Sequence, residues 1–549
     1  MSTMLWRKES NRNNALLVDL FASQEKLHLG MLFTMTKMDN EKPPVGKCAN
    51  ASQTQRNEGN DCFKNGEFNK AIEKYNKSLC LAPPSSQLVG MAYANRSVCF
   101  LKLKMYNECL VDIKLAKQNN YPDHLVFKLD EREADCLKCI GNGEDKIYDI
   151  GLSLSYDSDE TYLGVANVLN VTRDRNGNFT VTAKEDIGVG KTVVVEKAFT
   201  TYLLMGRNLR CSICLKRNTN LVPCNKCTSV MFCHDKCDNN ILHDGECGLT
   251  FSGIADLDAG MFKEVRIILM IINIFPTAYE LMDFVQQTIQ QQPMEPTLSL
   301  DDEKLRYLNF LKLPISQADF DSEEYMTSLF FMYRLAMEIP KVKTYFHTEK
   351  HRRFLMHLLC LHSQITEKNS NWSKRTFACN GEIKNICTHG IIGLRHRFFG
   401  TSCAPNVMHT DHNDLSVFIT IRPIKKDEPL LTFIADYLLL ESRAIRQKAI
   451  RETLKTDCKC SRCQGICATS AQQREITSDP DYCYVSSRQE GTDNAHAMNE
   501  KFVSFLNKHG HVPWCDAIEK VVDAYLYFLR YNMYGEVFTP DIVAALNEI

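Results

Sequence analysis

The chain has 549 residues, 44% of them hydrophobic and 24% charged, which is enough for several domains with real cores. Lys and Arg total 65 against 67 Asp and Glu, so the formal charge of -2 gives no global electrostatic case for binding nucleic acid or a membrane surface. The longest apolar run, Ile267 to Phe275, is broken by Asn273 and falls far short of the roughly 18 residues of a membrane span.

Residues 1–50 join a weak amphipathic stretch, Ala15 to Phe33, to a polar segment with Pro43 and Pro44, and read as a loosely docked extension. The opening MSTMLWRKESNRNN has no apolar core followed by a small-residue cleavage site, so secretion is not expected. From Arg56 to about Cys139 the pattern is helical and repeats. Gly59, Ala71, Tyr75 and Pro83 stand at offsets 0, 12, 16 and 24, the small-small-aromatic-Pro pattern of a tetratricopeptide repeat, and Ser97, Cys109 and Ile113 follow 38 residues later, with Ala116 closing the second unit. Generic helical hairpins are the competing reading, since two units and a ragged third, Leu125 to Ile140, are few for a solenoid. Asn95 and Arg96, with Lys64 and Lys70, are candidates for a concave peptide-binding face; solvated helix surface is the alternative.

Between Tyr162 and Tyr202 the chain turns to short Val- and Thr-rich strands, Leu169 to Thr172, Phe179 to Ala183 and Thr192 to Lys197, bounded by the Asn176-Gly177 turn and by IGVGK. This spacing predicts a small twisted sheet.

The run from Cys211 to Cys247 then spaces seven cysteines and one histidine as C-x2-C-x9-C-x2-C-x5-C-x3-C-x5-H-x3-C. Eight soft ligands in 37 residues predict two tetrahedral zinc sites, because close C-x2-C pairs supply two ligands each without a long loop to close. A disulfide framework is disfavoured by the remaining cysteines. Of the 24, thirteen lie outside any ligand spacing, among them Cys62, Cys80, Cys99, Cys109, Cys136 and Cys360 in apolar helical stretches, as small hydrophobes of a reducing compartment. A cytoplasmic or nuclear setting is therefore expected.

From Gly248 to about Ile365 the chain is helical again, with a Gln-rich break at Gln286 to Asp302, and β character is expected to return only after Phe377, in Leu415 to Arg422 and Leu430 to Ile434. The sheet is thus split, and residues near 180 must lie beside residues near 420 with the insert to one side. Cys458, Cys460 and Cys463 follow as C-x-C-x2-C. After a turn-rich stretch, Ala468 to Ala495, helices return at Glu500 to Lys508 and Asp516 to Tyr531, where Val521, Val522, Tyr525, Phe528 and Leu529 predict a face packed on the body.

Taken in this order, the ladder with its FCHDKC and HDGEC ends, TSCAPN at Thr401 to Asn406, IRPIKKDEPLLTF, CKCSRC and EDIGVGKTVVVEKAF resemble the SET-and-MYND family, in its branch with an N-terminal tetratricopeptide segment. The resemblance implies an α+β multidomain chain: an extension (1–50), tetratricopeptide-like helices (51–150), a first SET segment (160–205), a MYND double-zinc module (211–247), a helical insert (248–385), the core SET segment (386–440), a zinc-bound post-SET (441–467) and a helical C-terminal region (468–549). It implies a cross-brace with Cys211, Cys214, Cys233 and Cys237 on one zinc and Cys224, Cys227, His243 and Cys247 on another. It also implies a third zinc on Cys458, Cys460 and Cys463, completed by Cys403.

The implied activity is transfer of a methyl group from S-adenosylmethionine to a lysine of a histone or non-histone protein. The family's Asn-His pair reads Gly400-Thr401 here, its helical Asn falls at Leu361, and its catalytic tyrosine falls either at Phe433, with the hydroxyl lost, or at Tyr437. The candidate site is accordingly Tyr437 for catalysis, with Gly400, Thr401, Asn176 and Gly177 for the cofactor. Two functions stay open: a lysine methyltransferase with an altered cofactor grip, or a catalytically impaired adaptor or transcriptional regulator that holds proteins through its zinc module and repeats. The resemblance further implies a monomer that binds a protein or peptide, proline-rich for the zinc module. Nucleic acid is disfavoured as a partner because CSICLKRN is basic only locally while HDKCDNN and HDGEC are acidic, and no membrane contact is expected.

Overall fold

The structure, a computed structural model, describes residues 46–144, 152–174, 179–203, 208–217, 220–234, 237, 241–247, 262–290, 302–316, 323–379, 382–395, 398–433, 438–454, 456–487 and 495–534. Helices α1 (Ala49–Lys64) and α2 (Phe68–Leu81) form one antiparallel hairpin, α3 (Gln87–Lys102) and α4 (Tyr106–Gln118) a second, and α5 (Val126–Gly141) packs beside them. The repeat offsets mark the places where these helices touch. A Cβ on Gly59 would lie 2.6 Å from the Tyr75 ring, so only glycine lets that ring in, and Ala71, Tyr75, Cys109, Ile113 and Ala116 are all buried. Gly66 turns the chain between α1 and α2 at a φ of 79°.

Strands β1 (Leu169–Arg173) and β2 (Phe179–Ala183) form a hairpin in which Val171 faces Val181. Next come β3 (Thr192–Lys197) and β4 (Thr200–Leu203), then the short antiparallel pair β5 (Leu221–Pro223) and β6 (Met231–Cys233), and the one-turn helix α6 (Ile241–Glu246). The insert is α7 (Phe262–Ile274), α8 (Ala278–Gln290), α9 (Glu303–Leu311), α10 (Glu323–Glu338), α11 (Pro340–Tyr345) and α12 (Glu349–Asn369). Its core gathers Ile267, Ile268, Ile271, Tyr307, Phe310 and Leu358, all essentially inaccessible. Among the described residues no single helix is long and apolar enough to cross a membrane.

The return to strand comes earlier than the sequence suggests. Strands β7 (Ser370–Cys379) and β8 (Glu382–Ile392) form a long antiparallel pair whose inner edge meets β4, Thr200 facing Ile392. The signal was the Asn380-Gly381 dipeptide between the two runs, the strongest short-range hairpin mark.

Beyond it lie β9 (Gly400–Thr401), β10 (Val407–His412), β11 (Leu415–Thr420) and β12 (Leu431–Thr432). The sheet order β10-β11-β3 joins halves far apart in sequence, with Val417 facing Val195. Residues near 180 do lie beside residues near 420, since Thr182 bridges Pro429 and Ile187 bridges Ile424. The β-branched run in β3 fits this place, since Val193 and Val194 are both fully buried and the strand is covered on each face.

The chain closes with α13 (Arg443–Leu454), α14 (Ser470–Thr477), α15 (Tyr482–Val485), α16 (Ala495–His509) and α17 (Asp516–Tyr534). The apolar face of α17, with Val521, Val522, Tyr525 and Phe528, shares one core with Met408, Val417, Ile419 and Ile421 of the sheet. Packing on the body is therefore the role of this face.

Candidate metal centres and the crossing beside them

Three groups of four ligand atoms converge, each with all its atoms within 4.8 Å of one another: Cys211, Cys214, Cys233 and Cys237; Cys224, Cys227, His243 and Cys247; and Cys403, Cys458, Cys460 and Cys463. Local structure explains how each pair is presented. After Cys211 the chain makes a tight turn in which the Leu215 amide donates to the Cys211 carbonyl (3.0 Å), with Leu215 itself left-handed at a φ of 59° and fully buried. Backbone amides also point at sulfur: Ile213 to Cys211 Sγ (3.5 Å), and Lys226 and Cys227 to Cys224 Sγ (3.3 and 3.5 Å). Such donors stabilise a thiolate.

The spacing of the donors tests the metal. A tetrahedral ion with metal-sulfur bonds of about 2.3 Å has sulfur-sulfur edges of about 3.8 Å, shortened to roughly 3.6 Å where a nitrogen at about 2.05 Å replaces one sulfur. Cys214 and Cys233 are 3.7 Å apart, Cys224 and Cys247 3.7 Å, and Cys227 Sγ lies 3.6 Å from His243 Nε2. Donor sets of four sulfurs, three sulfurs with one imidazole, and four sulfurs fit zinc.

The double module does not stand alone. Leu221, Met231 and Phe232 share a core with Leu79, Tyr93 and Ile113 of the helices. Arg96, fully buried, crosses this interface: Nε and Nη2 reach both carboxylate oxygens of Asp112 (2.7 Å each), and Nη1 donates to Asn76 Oδ1 (2.6 Å) and to the Leu221 carbonyl (2.8 Å). Asn220 returns a bond to Asp112 Oδ1 (2.6 Å). Arg96 is thus not part of an open peptide-binding face; the docked module has taken it into the interior. Lys64 and Lys70 pair locally with Asp61 and Glu67, and Asn95 donates to Asn60 (2.8 Å).

The third group pins a crossing of two segments. Gly400 and Thr401 pair in parallel with Leu431 and Thr432; the Ser402 amide donates to the Thr432 carbonyl (2.9 Å) and the Asn406 amide to the Leu431 carbonyl (3.0 Å). The Asn406 side chain finishes the seam, accepting from the Leu431 amide (2.8 Å) and donating to the Pro429 carbonyl (2.9 Å). Cys403, inside the same segment, is completely buried against Ile450 and Cys463. Gln447 holds the other side by two hydrogen bonds to the Cys458 backbone, donating to its carbonyl (2.7 Å) and accepting from its amide (3.0 Å). Arg462 spans to the C-terminal helices, donating to the Leu439 carbonyl (2.7 Å) and pairing with Glu519 (2.6 Å).

Upstream, Glu196 on β3 is fully buried and accepts from the Leu394 and Arg395 amides (3.0 Å each), fixing the approach to this crossing. Burial pushes its carboxyl up, opposed by Arg395 and those two amides. Sequence reasoning missed the structural duties of Asn406 and Glu196, although both stand inside its quoted motifs.

The residues proposed for a methyl donor meet this frame unevenly. Gly400 is exposed and Thr401 half-buried, side by side at the crossing. A Cβ at 400 would lie 2.8 Å from Leu431 Cδ2, the far end of a side chain that can turn aside, and neither position supplies an amide or imidazole side chain. The donor set here does not fit the side-chain grip implied for S-adenosylmethionine. Leu361 packs on the insert core, and Phe433 packs between the third cysteine group and the C-terminal core. Tyr437, Asn176 and Gly177 lie outside the described residues.

No family model matches the chain. Protein-lysine N-methyltransferase SMYD4 of Danio rerio is 25% identical over 230 residues, 38% of this chain and 30% of that protein. The SMYD4 of Pongo abelii is 22% identical over 562 residues, 76% of this chain and 68% of that protein. Mitochondrial import receptor subunit TOM34 of Homo sapiens is 39% identical over 77 residues, 14% of this chain and 23% of that protein. The chain thus spans between about a third and two thirds of the SMYD4 proteins it matches, and its resemblance to SET and MYND domain-containing protein 4 extends over most of its own length.

Proposed function

We propose that this protein is a protein-lysine N-methyltransferase of the SET-and-MYND type, with zinc in all three ligand groups and S-adenosylmethionine as methyl donor. One observation carries the reading: the fourth thiolate of the third group, Cys403, comes from the same short segment as Gly400, Thr401 and Asn406, so zinc binding and the shape of the crossing are set together. The β3 and β11 strands, drawn from opposite ends of the insert, are the two halves of the SET sheet in this reading. When bound, S-adenosylmethionine would supply an activated methyl group for transfer to a lysine amine, and Gly400 and Thr401 would offer it only backbone groups and one hydroxyl. Isothermal titration with S-adenosylmethionine tests it: saturable heat is expected, and silence at millimolar cofactor removes the enzyme.

A second reading is favoured by Gly400 itself. A chain with no side chain at that position, yet with every ligand of the third group present, keeps the scaffold and gives up part of the grip. In that case the protein acts as an adaptor of the cytosol or nucleus, with the zinc module offering its outer face to proline-rich segments. A silent cofactor titration, together with saturable binding of a proline-rich peptide, selects it.

A further inference from the structure

The formal charge of -2 hides one local run of the opposite kind. Residues 340–353, over α11 and the start of α12, hold five Lys and Arg against a single acid, Glu349, and Arg353 takes that acid (3.1 Å). Lys343 and Lys350 are exposed and Arg352 is half-buried, and none of the three makes an ion pair among the described residues. The acids at the start of α8, Glu280 and Asp283, are fewer, and Glu280 accepts a hydrogen bond from the Thr277 hydroxyl at its own helix cap (3.2 Å).

The run is gathered around an exposed aromatic ring. Tyr279, in the first turn of α8, is 56% exposed; Lys350 Nζ lies 5.5 Å from its ring centre and the His351 ring 4.7 Å from it. The His347 ring is 5.1 Å from that of His351, its Nδ1 donates to the Thr344 carbonyl (3.2 Å), and its own carbonyl accepts from Arg352 Nη1 (2.9 Å). His351 is buried, and neither of its ring nitrogens has a hydrogen-bond partner among the described residues, an uncommon state for a buried imidazole. Burial, then the neighbouring His347 and Lys350, draw its pKa down, so the ring is neutral and keeps one N-H to give. The 21-residue helix α12 begins here, capped by Thr348 on the His351 amide (3.1 Å), and adds the positive end of its dipole.

We propose that this face of the insert binds a short single-stranded segment of nucleic acid, one base stacked on Tyr279 and the flanking phosphates held by Lys343, His347, Lys350 and Arg352. Charge complementarity selects a polyanion, and an exposed ring set among cations is a platform for an unpaired base. A duplex keeps its bases inside the stack. An anionic membrane would take up several apolar side chains, whereas Tyr279 is the one large exposed apolar residue here, the others being on α5, at Leu163 and around 440–466. The proposal uses neither the crossing nor the zinc module, so it is independent of methyl transfer and of proline-rich binding.

The test is fluorescence polarisation of the full zinc-loaded chain with a 5′-labelled twelve-nucleotide oligouridylate, and with oligothymidylate of the same length. Saturable binding is expected, weakening roughly tenfold or more between 50 and 200 mM salt if three phosphates are neutralised. Tyr279→Ala, at an exposed position, is expected to lower affinity about tenfold, and Tyr279→Phe to keep it. Lys343→Gln with Lys350→Gln, both exposed, is expected to lower affinity tenfold or more and to flatten the salt dependence. Unchanged affinity in both the Tyr279→Ala and the double lysine variant, a twelve-base-pair duplex bound as tightly as the single strand, or phosphatidylserine vesicles bound while both oligonucleotides are not, would each overturn the proposal.

Discussion

The module at 211–247 and the crossing at 400–432 are both held by sulfur ligands, but the determinants of the first are local and those of the second are spread along the chain. All eight ligands of the module fall within 37 residues, and its turns are fixed by neighbours in sequence, such as the Leu215 amide on Cys211. The crossing needs Cys403 from one segment and Cys458, Cys460 and Cys463 from another, plus Asn406 reaching over to Leu431 and Pro429. A local site can drift relative to the rest without losing its metal, while a distributed one fails when any contributor moves. The module is held against drift by Arg96, by Asn220 and by the core it shares with the repeats.

The largest test is metal removal. Strong chelation is expected to release three zinc equivalents by elemental analysis and to unfold the module, since structural zinc contributes on the order of 10 kcal/mol per site. A release of two equivalents would separate the regions by removing the distributed site from the count.

Next in size is the docking pair. Asp112→Ala leaves Arg96 charged and buried without its partner and is expected to cost about 3 to 5 kcal/mol, read by urea denaturation. Replacing Arg96 and Asp112 together by Met and Leu is expected to recover much of that loss, whereas an equal loss in the double variant would make the hydrogen bonds to Asn76 and Leu221 the main tie.

Asn406→Ala should be milder, about 1 to 3 kcal/mol for a buried amide left without an acceptor, with zinc lost from the third group before the other two. Uniform loss from all three groups would remove the distinction between local and distributed sites. Smallest is Gly400→Asn. The end of Leu431 can rotate away from the added carbon, so a cost of about 1 kcal/mol or less is expected, with S-adenosylmethionine binding tightened severalfold by calorimetry. Unchanged affinity would show that the grip is not limited at this position.

The same contrast explains what was legible in the sequence. The ligand ladder and the repeat offsets are short-range patterns, and the close approach of Gly59 to Tyr75 follows from them directly. Arg96 was misplaced because helical periodicity assigns a face but does not say which partner covers it, and the covering residues, Asn220 and Leu221, lie more than 100 positions away. Asn406 was visible only as part of a motif; its partners at 429 and 431 are set by the crossing. The hairpin of β7 and β8 was missed at its start because a helical pattern runs directly into Ser370 without a break.

Trp514 sits 1% exposed between the guanidinium groups of Arg422 and Arg462, whose central carbons lie 4.8 and 5.2 Å from its ring. Arg462 is also bonded to the Cys403 carbonyl (3.1 Å), within the third ligand group. The chain has three tryptophans, and with Trp6 and Trp372 replaced by phenylalanine the intrinsic emission of this indole becomes an optical readout of the crossing. A fluorophore clamped between two cations reports, by a change in intensity, when one of them lets go.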